Sequence, residues 1–293
     1  MTKLLLPFLL IIIPITMFSQ IHGTIVYKKT GKPVEYANIW VENQNIGTTS
    51  DQQGNFSFKE NVLNKTLLIS VIGYESLQTI IEHDDLRIEL IPKTYLINEI
   101  TIRPMKRKEL IIDQFKKSSI NHHLMSNSRP WIVAKYFKYS PVYEETPLIK
   151  NLSINTKSEI NDATFNLRII SANEKGEPTD DILKKNLILK AEKGNRKLFV
   201  DLTDFQIIFP KNGFFVCVES LMLESNKSEF VYTMAGSKKK IHSVQYNPKF
   251  GMVLIDENIA NWMFLGGKWR NIKLGPQTDK KSQELAIELT LTD

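Results

Sequence analysis

Five histidines (His22, His83, His122, His123 and His242) and one cysteine, Cys217, are the side chains of this chain best suited to holding a metal or attacking an electrophile. Catalytic zinc needs a His-x-x-Glu pair with a distant histidine, or a His-Glu-x-x-His helix, and a carboxylate to activate its water. Three places after the five histidines stand Ile25, Leu86, Met125, Ser126 and Gln245, so neither pattern occurs. His122 and His123 are adjacent, and neighbouring side chains on a helix point in different directions. A single cysteine excludes an intrachain disulfide and a cysteine-based zinc cluster. Cys217 lies inside the alternating run Phe214–Leu221 and reads as a buried thiol rather than a nucleophile. Neither a Gly-x-Ser-x-Gly elbow nor a Gly-x-x-x-x-Gly-Lys phosphate loop is present. The acidic pairs Asp84-Asp85 and Asp180-Asp181 are expected on loops and lack EF-hand spacing. The sequence therefore carries no catalytic, cofactor or metal constellation.

What it does carry is a concentration of aromatic rings. Trp131, Tyr136, Phe137, Tyr139 and Tyr143 crowd one short stretch. Exposed rings of this kind stack sugars or contact proteins, and Trp131, Tyr136 and Tyr139 are the candidate ligand-binding residues. Tyr136 and Phe137 point to opposite faces of a strand, so one of the two is expected in the core.

Charge and hydropathy address the compartment. The chain has 293 residues, 42% hydrophobic and 24% charged, with net charge +6. That is the composition of a folded chain of about two domains. Lys3 precedes the charge-free run Leu4–Phe18. This run falls short of the ~20 residues that span a bilayer as a helix, and Pro7 and Pro14 interrupt it. Residues 1–19 read as a cleaved signal peptide ending at Ser19-Gln20, and no cysteine follows for a lipid anchor. After cleavage no transmembrane segment remains. Arg103, Lys106, Arg107 and Lys108 form one basic cluster and Lys238, Lys239 and Lys240 another. Export and the lack of interleaved aromatics argue against nucleic acid as the partner.

The elements that must position these residues are strands. From Ile21 to Ile102 the pattern alternates: Ala37, Ile39 and Val41 face one way, Asn38, Trp40 and Glu42 the other. Phe56 and Phe58, then Leu86, Ile88 and Leu90, repeat the pattern between turns at 30–33, 51–54 and 72–74. About seven short strands predict a small antiparallel sandwich over residues 20–102. Leu110, Ile111, Ile112 and Phe115, at i,i+3 and i,i+4 spacing, predict a linking α-helix within 103–130, from about Met105 to His123. Alternation returns at Phe165–Ile169, Leu187–Ala191, Phe214–Val218 and Leu285–Leu291, and Gly266-Gly267 marks a late hairpin. Residues 131–293 thus read as a second, larger β-sandwich. The fold class is mainly β.

Particular fragments of the first segment carry a family resemblance. Gly23-Thr24-Ile25-Val26, Gly31-Lys32-Pro33-Val34, Ala37-Asn38-Ile39, Gly47-Thr48-Thr49-Ser50-Asp51, Gly54-Asn55-Phe56 and Ser70-Val71-Ile72-Gly73-Tyr74 follow one another in order. The segment closes on Leu96-Ile97-Asn98-Glu99-Ile100-Thr101-Ile102. Together they resemble the carboxypeptidase-regulatory-like domain, a transthyretin- or Ig-like sandwich. In that family this domain is an appendage that does not itself cleave peptides. Phe165–Leu221 is similar to jelly-roll-like regions joined to such domains in bacterial envelope proteins. In related architectures such a domain precedes transporter plugs, but no plug or barrel follows here, so the resemblance carries over no transporter function. It implies an exported, non-enzymatic binding or accessory protein of the Gram-negative envelope, recognising a protein partner or a polysaccharide. A carbohydrate-active or hydrolytic enzyme with a carboxylate site in the C-terminal domain is the alternative.

Overall fold

Ile21, Ile25, Ile39, Val41, Phe56, Phe58, Leu67, Ile69, Ile88 and Leu90 are each at most 5% exposed, and they form the shared core of two facing sheets. Their period-two spacing is what lets each strand turn one face inward. The computed structural model describes residues 20–94, 108–234, 236–256, 261–274 and 281–293. The leader, the closing Leu96–Ile102 motif and Arg103, Lys106 and Arg107 lie outside the described residues. One sheet places Ile21–Tyr27 between Asn55–Phe58 and Asp85–Leu90. The other orders Gly47–Thr49, Asn38–Val41, Thr66–Ser70 and Leu77–Ile80. This is the expected seven-stranded sandwich, with one departure. Ile21–Tyr27 runs parallel to Asp85–Leu90. These are the first and last strands of the sandwich, so no hairpin fixes their relative direction.

The turns behave as their residue types dictate. The Asp51 carboxylate accepts the backbone N–H groups of Gln53 and Asn55 at 2.9 and 2.8 Å. Gly54 sits at φ +76°, with the Ile25 carbonyl 2.5 Å from where a Cβ would be. A side chain is barred there twice, by conformation and by space.

The second sandwich is larger. One sheet runs Pro178–Asp181, Ala163–Ala172, Phe214–Ser220, Ile132–Phe137, Asn261–Leu265, Lys268–Ile272, with Leu187–Ala191 also paired to Ala163–Ala172. The facing sheet runs Lys227–Thr233, Lys240–Ile255, Leu148–Ser158, Ile287–Thr292, Glu109–Ile112. Gly194–Asp201, Ser282–Leu285 and Ile120–Ser126 add to it. Phe165, Leu167, Val216, Phe250, Ile287 and Leu289 fill the space between, each fully buried. The hairpin at Gly266-Gly267 forms as expected, both glycines at positive φ.

The linking α-helix does not form. Among the described residues the structure is mainly strand, 57% against 6% helix, with no helix of seven or more residues. Glu109–Ile112 is instead a strand on Ile287–Thr292, and Ile120–Ser126 a strand on Lys240–Ile255. Between them only Lys117–Ser119 makes a 3-10 turn. The burial of Glu109–Ile112 alternates, with Leu110 and Ile112 packed on the core while Ile111 is 51% exposed. Consecutive isoleucines favour strand, and the helical spacing to Phe115 was incidental. Asp113, at φ +54°, breaks the strand. Its carboxylate meets the ammonium of Lys135, a core-facing lysine only 2% exposed, at 3.1 Å, while Glu284 approaches it at 2.8 Å. Phe115 is buried under the Lys197 ammonium, 4.9 Å from its ring centre. The segment read as a linker thus supplies two strands of the second sandwich. No helix among the described residues is long and apolar enough to cross a membrane.

The strand assignment makes adjacent isoleucines unequal. Ile112→Ala is expected to lower unfolding free energy by about 1–2 kcal/mol, and Ile111→Ala to change it by less than ~0.5 kcal/mol. Urea denaturation of the two variants measures this. Equal losses at both positions would contradict the alternating burial.

Candidate functional site

Asn38–Val41 is buried on both faces, and that determines how the two sandwiches meet. Ile39 and Val41 enter the core of their own sandwich. Asn38 and Trp40 point the other way, onto the outer face of the sheet built on Phe214–Ser220. The Trp40 ring is fully buried, edge-on to Phe264 at 5.3 Å, and its Nε1 donates to the Pro130 carbonyl at 2.9 Å. Gly47 admits the chain beside it, because a Cβ there would lie 2.5 Å from Pro130 Cδ.

Next to Trp40 the seam is polar. Asn38 Nδ2 donates to Glu219 Oε1 at 2.9 Å, and Thr49 Oγ1 donates to Asn38 Oδ1 at 2.6 Å. Thr49 in turn accepts the Met222 backbone N–H at 2.8 Å. On the second sandwich, Asn166 donates to Glu219 Oε2 at 2.7 Å. Arg168 clamps Asp181 through two hydrogen bonds of 2.9 and 2.7 Å and reaches Glu219 at 3.4 Å. Burial opposes the Arg168 charge, but Asp181 and Glu219 outweigh it and hold the guanidinium protonated. Burial pushes the Glu219 carboxyl above the usual carboxylate range, with Arg168 and Asn166 pulling it back. Burial likewise pushes the Cys217 thiol well up. These groups are closed off from solvent, so the network holds the domains rather than reacting.

Two clefts open along this seam. The larger, about 840 Å³, is lined from the first sandwich by Gln52, Gln53, Asn55 and Lys59, and from the second by Lys190, Met222, Leu223 and Tyr246. Its amide and ammonium groups are exposed, over the nearly buried side chains of Met222 and Leu223. Two of its carboxylates are already engaged, Asp51 by its own turn and Glu224 by Lys227 at 3.0 Å. The smaller, about 560 Å³, is lined by Glu42, Asn43, Asn45, Arg129, Lys268 and Arg270 among others.

The sandwich that contributes half of this seam has a recognisable sequence. Residues 21–102 match the family model of the CarboxypepD_reg-like domain. This is the transthyretin- and Ig-like family indicated by the ordered Gly, Asp and Tyr motifs. No curated protein matches the chain. A crystal structure of a protein of unknown function from Bacteroides fragilis NCTC 9343 is 8% identical, covering 94% of this chain and 97% of that one, at a TM-score of 0.20. That likeness is too slight to bear on fold or function.

The residues singled out from sequence do not converge on the CarboxypepD_reg-like domain or on one another. Trp131 is 5% exposed in the core of the second sandwich, edge-on to Phe250. Phe137 joins it there, stacked on Phe214, so of the Tyr136–Phe137 pair it is Phe137 that is buried. Tyr136 lies on the opposite face against Phe215, its hydroxyl donating to the Asn212 carbonyl at 2.8 Å. Tyr139 packs with Tyr143 and Phe209 and lies 4.4 Å under the Lys211 ammonium. The three candidates thus face three environments and make no common platform. His122 and His123 sit on a strand rather than a helix, and no group of three or more His, Cys, Asp or Glu among the described residues is arranged to hold a metal ion. Asp181 is taken by Arg168 and Asp180 by Lys93, and both lie on a strand rather than a loop. Lys238–Lys240 are exposed beside the Lys227–Thr233 strand. Sequence reading missed Trp40, Arg168 and Glu219. Each is a large or charged residue set among apolar ones on its strand, a cue that does not by itself say which face is covered.

Two measurements test the seam. Arg168→Met leaves two buried carboxylates unpaired and is expected to cost about 3–5 kcal/mol, while Glu219→Gln costs less. Because the Glu219 pKa is raised on folding, its stabilising contribution is complete below the usual glutamate range and is lost as pH rises through the folded value. Urea midpoints across that range should therefore fall in the wild type by a step that Glu219→Gln lacks. In the folded chain Cys217 is expected to react with a thiol reagent no faster than the protein unfolds. Rapid native labelling would place it at an open surface instead.

Proposed function

We propose that this is a non-enzymatic, exported binding protein of the Gram-negative envelope that holds an envelope glycan or protein segment in the cleft between its two sandwiches. The observation that carries this reading is the cleft of about 840 Å³, walled by both domains. Concave sites at domain boundaries are common ligand seats. Its exposed amides and lysines offer donors and acceptors, and its apolar floor offers contact area. Export is supported by Lys3 and the charge-free run Leu4–Phe18. The absence of catalytic motifs in the sequence favours binding over hydrolysis.

Screening the mature chain against envelope polysaccharides and outer-membrane extract tests this. Retention of one ligand is expected, weakened at least about fivefold by a combined Gln52→Ala, Gln53→Ala and Lys190→Ala variant that removes donors from both walls. Failure to retain any glycan or protein, or release of reducing sugar from the polysaccharide, would overturn the reading. The exported protein should begin at Gln20 or Ile21 on N-terminal sequencing. Recovery of the full-length chain in the cytoplasm would remove the premise of export.

A further inference from the structure

The smaller cleft has a different chemistry. Arg129, Lys268 and Arg270 all line it, and among the described residues none of the three forms an ion pair. Lys268 and Arg270 are two places apart on an edge strand, so their side chains leave the same face. Arg129 comes from the connection between the Ile120–Ser126 and Ile132–Phe137 strands, and the chain around it is tied down. Ser126 Oγ donates to its carbonyl at 2.6 Å, Trp40 Nε1 holds the next carbonyl at 2.9 Å, and Asn45 Nδ2 donates to Ser128 Oγ at 3.1 Å. The guanidinium is thus carried to the cleft by the same seam contacts that join the domains.

Such an arrangement is unfavourable when empty. Arg129 is half-buried, and burial together with the neighbouring Arg270 charge lowers its pKa. Surface cations normally spread apart or find a carboxylate. The one carboxylate on this lining, Glu42, accepts a hydrogen bond from Gln78 at 3.4 Å. Three cations less one carboxylate leave an excess of two positive charges over the lining. A phosphate monoester carries about −1.5 to −2 at neutral pH and presents three acceptor oxygens. Guanidinium forks match its geometry, and the ammonium supplies a third charge-assisted donor.

We propose that the Arg129–Lys268–Arg270 cleft is a binding site for a dianionic phosphate group, free or carried as a monoester on a sugar. The site is separate from the larger cleft and does not depend on what that cleft holds.

Isothermal titration of the mature chain with inorganic phosphate, glucose 6-phosphate and glucose tests the assignment. Both phosphates are expected to bind and glucose is not, and each phosphate should raise the melting temperature. Tighter binding of glucose 6-phosphate than of inorganic phosphate assigns the site to a sugar-borne group; equal binding assigns it to the free ion. Arg129→Gln and Arg270→Gln should each weaken phosphate about tenfold or more. Arg129→Gln removes a repulsion, so without phosphate it should melt no lower than the parent. Arg270 is exposed, so its variant tests binding independently of folding. The Lys238→Gln, Lys239→Gln, Lys240→Gln triple variant should bind as the parent does. Absence of heat with both phosphates would overturn the proposal. So would binding retained in both arginine variants, or an equal loss in the triple-lysine variant, which would mean a net-charge effect only. None of these results touches the Gln52, Gln53 and Lys190 test of the larger cleft.

Discussion

The hydrogen bond from Asn38 to Glu219 crosses between two separately cored sandwiches, and the rest of the molecule is arranged around it. Glu219 is buried with Asn38, Asn166 and Arg168 as partners, and Arg168 needs Asp181 as well. In a low-dielectric seam each partner is costly to lose, so the network tolerates only the arrangement that satisfies all its members. Apolar packing alone would let the sheets slide. Trp40 adds the area and the polar network fixes the register. Each cleft takes one wall from either side of this joint.

The first sandwich was legible because its signals are local. Alternating Ile39 and Val41, the Asp51–Gly54 turn and the paired phenylalanines each report conformation through their immediate neighbours. The second sandwich was legible as strands for the same reason. What sequence could not convey was which faces are wet. Arg168 beside Leu167 and Ile169 looks like a solvated residue on a half-buried strand, yet its face is covered by the neighbouring domain. Strand alternation distinguishes two faces; it does not say that one of them meets water.

The linking segment failed for a related reason. Ile111 and Ile112 stand at helical spacing to Phe115, but the surface that needed covering was the exposed edge of Ile287–Thr292, far along the chain. A weak local preference yielded to a long-range vacancy in a sheet. The smaller cleft was invisible on the same grounds, since Arg129 and the Lys268–Arg270 pair become neighbours only through the fold. The aromatic stretch misled in the opposite direction: rings close in sequence were dispersed by the strand pleat and its end.

The parallel pairing of Ile21–Tyr27 with Asp85–Leu90 has a bearing on how the chain is made. The strand synthesised first occupies the middle of its sheet and waits for the last strand of its domain. Glu109–Ile112 waits longer still, for Ile287–Thr292 at the far end. The second sandwich's sheet cannot close until Ile287–Thr292 is available, and such non-local pairings form slowly. A sandwich with this order of assembly stays open until its last strand is made. Delay in closing the second sandwich is thus a property of its topology.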